Sequence, residues 1–264
     1  MTGQLSGRHA VVTGAATGIG RGLAREAARR GAEVLVVDVD DPSETVAMVV
    51  RDGGRASGAV CDITDVDALQ ALAAKHHDID LVCANVGTGA GGTILTLSLS
   101  DFRRTLEINV LGAIATAQAF LPGLLAARAG GRPASILITG SEHSLGVPPY
   151  VKPMSAYTMS KHALLGLAAC MQRDLEQEGV DVSLLCPSYV RTERLQAMAT
   201  QSPAVAQVIE AYAQEVDEVA RRAFDGLSTG QLIVPTNPIS TEFVTGLHTA
   251  IIDAMPSSDE LRHG

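Results

Sequence analysis

Tyr157 and Lys161 stand four residues apart in the run Tyr-Thr-Met-Ser-Lys. In a helix, that spacing puts a phenol and an ammonium on one face. A nearby cation favours phenolate, and so draws a tyrosine down from its ordinary value of about 10 toward neutrality. Such a phenol can take a proton from an alcohol or return one to a ketone. The pair alone specifies little, because a single match of this kind can arise by chance. Its weight depends on its surroundings.

A second chemical element lies near the start of the chain, in Thr13-Gly14-Ala15-Ala16-Thr17-Gly18-Ile19-Gly20. A β-branched run leads into it and an Ala-rich run leaves it. Glycines allow a tight turn and let backbone N–H groups approach a pyrophosphate, to which the following helix presents its positive end. The strand–turn–helix context makes this a candidate dinucleotide site. Asp38 closes the next β-branched run, 18 residues beyond Gly20. A carboxylate there accepts from ribose hydroxyls and repels a 2′-phosphate. No Arg or Lys occupies Ala15, Thr17 or Val39, so NAD is expected in preference to NADP.

Short apolar strands alternate with longer helical segments, the pattern of a parallel sheet covered on both faces. Strands are expected at 9–13, 33–38, 56–61, 80–84, 134–139, 181–186 and 231–234. Helices are expected at 19–30, 42–52, 66–75, 100–127, 156–177, 203–224 and 240–254. Ser100 reads as a plain N-cap of the long fourth helix, and Gly31 and Gly179 as left-handed helix stops. No repeat or linker divides the chain. The expectation is one α/β domain over residues 1–264, doubly wound and Rossmann-type, with about seven parallel strands. Loops at 87–93 and 141–155 follow strands at the carboxyl edge, where open α/β sheets bind ligands.

Composition agrees with this. Aromatics are 3% and Trp is absent, so Ala, Val, Leu and Ile must fill the core. The net charge of −9 and a pI near 5.2 argue against nucleic acid and anionic lipid as partners. Cys61, Cys83, Cys170 and Cys186 lack metal or redox spacing and read as buried, reduced thiols. No metal site is expected. The N-terminus has no signal-peptide pattern, and no apolar segment reads as long and unbroken enough for a bilayer span. A soluble, cytoplasmic protein is expected.

Taken in order, the glycine turn, Cys61-Asp62-Ile63, Ala84-Asn85-Val86-Gly87, Asn109, Ser141, Tyr157 with Lys161, and 187–192 resemble the short-chain dehydrogenase/reductase family along nearly the whole chain. That resemblance implies hydride transfer between NAD(H) and a secondary alcohol or ketone. It implies that Gly14, Thr17, Gly18, Ile19 and Gly20 hold the pyrophosphate, that Asp38 holds the ribose, and that Asp62 and Ile63 meet the adenine. Asn85 and Gly87 would abut the cofactor, although Ala84 and Val86 depart from the family's Asn-Asn-Ala-Gly. Asn109 would kink a helix and hold a proton-relay water near Lys161, and Lys161 would also bind the nicotinamide ribose. Ser141 would polarise the substrate oxygen. Ser144 is its rival, being closer to the usual spacing from Tyr157. Pro187, Val190 and Thr192 would hold the carboxamide, with Ser188 replacing a usual Gly.

The neighbours Glu142 and His143 read as solvated loop residues. Val147, Pro149, Tyr150, Met154, Tyr189, Leu195 and Met198 are candidate pocket residues, with 188–225 as a lid, and they suit an alicyclic or aromatic alcohol. The resemblance further implies a homotetramer or homodimer through the helices at 100–127 and 156–177. The other readings are an NADP-dependent carbonyl reductase and a dinucleotide-sensing protein without turnover.

Overall fold

A computed structural model describes residues 4–89, 91–150 and 152–256. Met1–Gly3 at the expected untargeted start, Ala90 and Val151 in the two candidate loops, and 257–264 of the C-terminal segment lie outside it. Seven parallel strands form one sheet in the order β3-β2-β1-β4-β5-β6-β7. They are β1 (His9–Thr13), β2 (Glu33–Asp38), β3 (Arg55–Val60), β4 (Leu81–Ala84), β5 (Ala134–Thr139), β6 (Val180–Cys186) and β7 (Ile233–Pro235). The chain winds outward from β1 to β3 and then returns to lay β4 against β1. That reversal opens a crevice at the carboxyl ends of β1 and β4.

Alternate residues of each strand feed two cores, as the twofold repeat of a strand requires. Val11, Ile136 and Ile138 face one side with α3 (Val66–Lys75), α5 (Gly112–Ala129) and α6 (Ser155–Asp174). Val12 and Leu137 face the other with α1 (Gly18–Arg29) and α9 (Val216–Ser228). A Cβ on Gly22 of α1 would land on Val216, so the absence of a side chain there lets these two helices touch.

At the opposite, amino edge Asp80 is fully buried. Its carboxylate accepts from Arg8 Nε at 2.5 Å, from Arg132 Nη1 at 2.7 Å and from His9 N at 3.3 Å. This cluster ties β1, the start of β4 and the approach to β5 together, away from the crevice.

Three expectations about the helices require correction. The helix expected at 100–127 starts earlier, as α4 (Leu99–Leu106), and passes through one π-helical turn (Glu107–Leu111) into α5. Its cap is Ser98, not Ser100: Asp101 N donates to Ser98 Oγ at 3.2 Å and Ser98 N to Asp101 Oδ2 at 2.8 Å. This reciprocal box exists because an acidic residue stands three positions after Ser98. The helix expected at 203–224 is broken into α8 (Pro203–Tyr212) and α9, with α7 (Glu193–Gln201) before it. The breaks occur where Pro203 starts a helix and where Gln214 leaves the helical path to bond Tyr189 O and receive Arg191 N.

The combined run Leu99–Ala129 does reach the length and apolarity of a membrane-crossing helix. Ala113, Ala117, Phe120, Leu124 and Ala127 on α5 nonetheless pack into the core, which accounts for its apolar character. Cys170 is exposed, whereas Cys61, Cys83 and Cys186 are buried as expected. Gly31 and Gly179 take positive φ of 100° and 68°, as their positions after helix ends predict.

Candidate active site

The turn between β1 and α1 is held closed by β4. Asn85 Nδ2 donates to Thr13 O at 3.2 Å and Gly14 O at 3.1 Å, and Asn85 N donates to Thr13 Oγ1 at 3.2 Å. Gly14 and Gly18 have φ of 64° and 56°, which only glycine adopts without strain. A Cβ on Gly20 would land on the Gly14 carbonyl, so the third glycine is required by the turn's own packing. Asn85 therefore acts on the turn itself.

Asp38 ends β2 beside the same turn. Its Oδ2 accepts from Ala16 N at 2.8 Å and its Oδ1 from Asp40 N at 3.2 Å. Asp62 lies exposed after β3. Its Oδ1 accepts from Thr64 N at 2.9 Å and Thr64 Oγ1 at 2.8 Å, which holds the carboxyl below the usual range. Ile63 is buried against α5, where a Cβ on Gly112 would strike its Cδ1.

The π turn places Asn109 where an ordinary helix would not. Its Oδ1 accepts from Thr88 N at 2.7 Å, and its Nδ2 donates to Thr88 O and Ser160 Oγ, both at 2.8 Å. Asn109 thus clamps the loop after β4 to α6, the helix carrying Tyr157 and Lys161. The Cβ position of Gly87 lies 3.4 Å from Lys161 Nζ and 3.8 Å from Asn109 Oδ1, so the three residues meet.

Tyr157 and Lys161 share a face of α6, with the ammonium 5.6 Å from the ring centre. Lys161 is 3% exposed, and among the described residues its one hydrogen-bond acceptor is Thr139 O, at 2.8 Å. Burial draws the ammonium down to about 8. The phenol of Tyr157 is pushed up rather than down, chiefly because burial penalises phenolate; the Ser141 hydroxyl pulls the other way and the Glu142 carboxyl adds to the rise. The expected depression by Lys161 does not prevail: the cation stands over the ring and is itself desolvated.

Ser141 and Ser144 have different roles. Ser144 Oγ is buried and accepts from Ser141 N at 3.2 Å, closing the short 3-10 turn Glu142–Ser144. Ser141 Oγ accepts from His143 N at 3.2 Å and bears on the Tyr157 phenol. Glu142 and His143 are not solvated; they are 3% and 5% exposed. Glu142 Oε2 accepts from Tyr150 Oη at 2.5 Å and Ser240 Oγ at 2.8 Å, and burial holds the carboxyl above its ordinary value. His143 pairs through Nδ1 with Thr158 Oγ1 at 2.8 Å and sets its ring edge-on to Tyr157 at 5.1 Å. Burial pushes it down to about 4, so it is neutral. Neither residue's burial could be read from Ser-Glu-His in the sequence, because distant segments cover them.

Pro187 follows β6, and its carbonyl accepts from Glu142 N at 2.8 Å. Val190 is buried and bridges to Gln214. Thr192 caps α7, its Oγ1 accepting from Leu195 N at 3.3 Å, and its Cγ2 lies 3.2 Å from the Cβ position of Gly18. Residues 187–192 therefore arch over the glycine turn. Tyr150, Tyr189 and Phe243 of α10 (Thr241–Asp253) form an aromatic wall, with Tyr150 5.9 Å from Phe243 and 6.2 Å from Tyr189.

The arrangement fits a nicotinamide dinucleotide. Glycines expose the helix end to an anion, Asp38 offers acceptors for ribose hydroxyls, and Lys161 keeps donors unspent in a buried place.

Comparison with known proteins agrees. A family model described as short chain dehydrogenase matches residues 8–203. The chain is 36% identical over 202 residues to a 1-deoxy-11-beta-hydroxypentalenate dehydrogenase of Streptomyces exfoliatus, covering 74% of this chain and 71% of that protein. It is 30% identical over 256 residues to the oxidoreductase UcpA of Salmonella typhimurium, covering 94% of each. A short-chain dehydrogenase/reductase from Burkholderia phymatum, solved in complex with NAD, superposes with a TM-score of 0.83 at 27% identity, over 97% of this chain and 98% of that one. The chain belongs to the short-chain dehydrogenase family of oxidoreductases, which work on small molecules with a nicotinamide cofactor.

Proposed function

We propose that this protein transfers hydride between NAD(H) and a secondary alcohol or ketone, with Tyr157 as the proton-exchanging residue. The reading rests on Tyr157 and Lys161 meeting Ser141 beside the glycine turn. When bound, the nicotinamide supplies the hydride acceptor or donor and, in its oxidised form, a positive charge.

The chain's own residues do the rest. Ser141 donates a hydrogen bond to the substrate oxygen and stabilises charge developing there. Tyr157 takes the proton from the alcohol, or returns it to the ketone. Burial holds the phenol up, and the positive charge of an oxidised nicotinamide bound beside it would favour the phenolate. Lys161 holds the nicotinamide ribose, and Asn109 orders the path by which protons reach it. Val190 and Thr192 fix the carboxamide. Gly14, Thr17, Gly18, Ile19 and Gly20 seat the pyrophosphate, while Asp62 and Ile63 bound the adenine.

Asp38 supports NAD over NADP, since its carboxylate would face a 2′-phosphate as a like charge. The segment 188–225 serves as lid, and the aromatic wall suits a cyclic substrate. One relative is named for a hydroxypentalenate, so hydroxy acids belong among the first substrates tried. Assembly as a homotetramer or homodimer is proposed through α5 and α6, whose shared groove is lined by Ile114, Leu121, Leu167 and Met171; solution scattering tests it.

The deciding experiment is a panel of secondary alcohols and ketones, followed by reduced-nicotinamide absorbance with NAD(H) and NADP(H) in parallel. Turnover with NAD(H) in preference supports the proposal. Turnover with NADP(H) alone overturns the cofactor choice, and no turnover by a chain that binds NAD returns the sensing alternative.

A further inference from the structure

Glu193 opens α7 directly after Thr192, and its carboxylate reaches the glycine turn. Oε2 accepts from Gly18 N at 3.0 Å and Oε1 from Arg21 Nη1 at 3.1 Å. Gly18 is the first residue of α1, so its N–H has no carbonyl partner within the helix and carries part of the helix's positive end. On the dinucleotide reading, this is where the pyrophosphate would be held. We propose that Glu193 competes with that pyrophosphate for the N-terminus of α1, and so sets the affinity of the chain for its cofactor. The proposal rests on the dinucleotide reading above and adds to it a residue of this chain that opposes binding.

Two anions cannot share one backbone donor, and bringing them together is repulsive. The space is also limited. The Cβ position of Gly18 is 3.2 Å from Thr192 Cγ2 and 3.9 Å from Glu193 Oε2, so the carboxylate stands over the turn. For a phosphate oxygen to meet Gly18 N, Glu193 must withdraw. Little restrains it: its side chain is 53% exposed, and α7 has no buried residue.

Arg21, by contrast, stays when Glu193 leaves. Its guanidinium donates to the Ala16 carbonyl, to Thr45 Oγ1 at 3.1 Å and to Glu44 Oε2 at 2.7 Å. Nη1, which Glu193 holds, is then open to an anionic oxygen. The exchange removes one carboxylate and admits one phosphate, with Gly18 N and Arg21 as common partners. Because Glu193 is the first residue of α7, this ties the lid to the cofactor: seating a pyrophosphate detaches the lid's first turn from α1.

The test is titration calorimetry of the full chain and of Glu193→Gln with three probes: NAD, ADP and adenosine. Glutamine keeps the shape and removes the charge. The variant should bind NAD and ADP about two- to fivefold tighter, which is what an anion at a helix N-terminus is worth, with adenosine unchanged. The gain should shrink at high salt, since the pair is exposed. Equal or weaker NAD binding by Glu193→Gln overturns the proposal, as does an equal gain for adenosine, which carries no phosphate. If the wild-type chain binds neither NAD nor ADP, the dinucleotide reading itself fails and takes this inference with it. Binding by the wild type that the variant leaves unchanged sinks the inference alone.

Discussion

Ser240 reaches back across 98 residues to donate a hydrogen bond to Glu142 Oε2 at 2.8 Å. Glu142 is the neighbour of Ser141, so the segment at Ser240 is fastened to the loop that carries Ser141. Phe243 reinforces the join, since a Cβ on Gly146 would lie 2.7 Å from its ring. Ser240 and α10 thereby pack on the loop that carries Ser141. Replacing Glu142 by Ala leaves the buried Ser240 hydroxyl without its acceptor, a loss of about 1–3 kcal/mol, while the exposed Tyr150 can turn its hydroxyl to water. Urea unfolding should show the loss, and limited proteolysis should cut near 238–253 earlier than in the wild type.

The same carboxyl predicts a pH effect. Its folded value is raised above the ordinary 4.5, so the folded chain holds this proton more tightly than the unfolded one. Glu142 therefore favours folding most below 4.5, and that contribution is lost as pH rises toward the folded value. Glu142→Gln cannot ionise and should gain on the wild type across that rise. Parallel stability–pH curves for the two chains would speak against it.

Tyr157→Phe should lower turnover by about 10²–10⁴-fold, the usual worth of a positioned acid–base group. NAD binding should be nearly unaltered. Retention of full rate in this variant refutes the assignment of the proton-transfer residue.

Lys161 carries a cost in stability. Its folded value of about 8 lies below the ordinary 10.5, so the unfolded chain binds the extra proton between these limits. The ammonium therefore disfavours folding fully below 8, and the penalty fades as pH rises toward 10.5. Lys161→Met should unfold at higher urea than the wild type at pH 7, with a smaller margin at pH 9.5, and should be inactive at both. A less stable variant at pH 7 would mean that the bond to Thr139 O outweighs burial.

Asp80→Ala leaves Arg8 buried without its partner, which costs about 3–5 kcal/mol. A change below about 1 kcal/mol by urea unfolding would show that water reaches Arg8 there.

Much of the sheet was legible because a parallel strand buried on both faces is a continuous β-branched run, as in β1, β2 and β5. The candidate site residues could be picked out for a related reason: Ser141, Tyr157 and the glycine turn sit at strand ends and helix starts, which local pattern marks. A kink at Asn109 was expected from the resemblance, but not its π form or its partners Thr88 and Ser160, which come from elsewhere in the chain. Burial of Glu142 was hidden too, being made by Tyr150 and Ser240. Nothing in the sequence singles out Glu193; only the fold brings it to Gly18, 175 positions earlier. The tuning of Tyr157 was misjudged because spacing reveals a neighbour's charge but not how dry the site is.

The five residues Glu107–Leu111 also leave a mark on how this chain can change by insertion and deletion. A π turn is one residue wider than the α-helical turn it replaces, and each helical residue rotates the chain by about 100°. Removing one of the five would let an ordinary α-helical turn close over the same arc, so α5 would keep its face while the widening that carries Asn109 to Thr88 and Ser160 would be lost. The length of this short stretch is thus held more strictly than its composition, and its tolerance to a lost codon should be lower than its tolerance to an altered one.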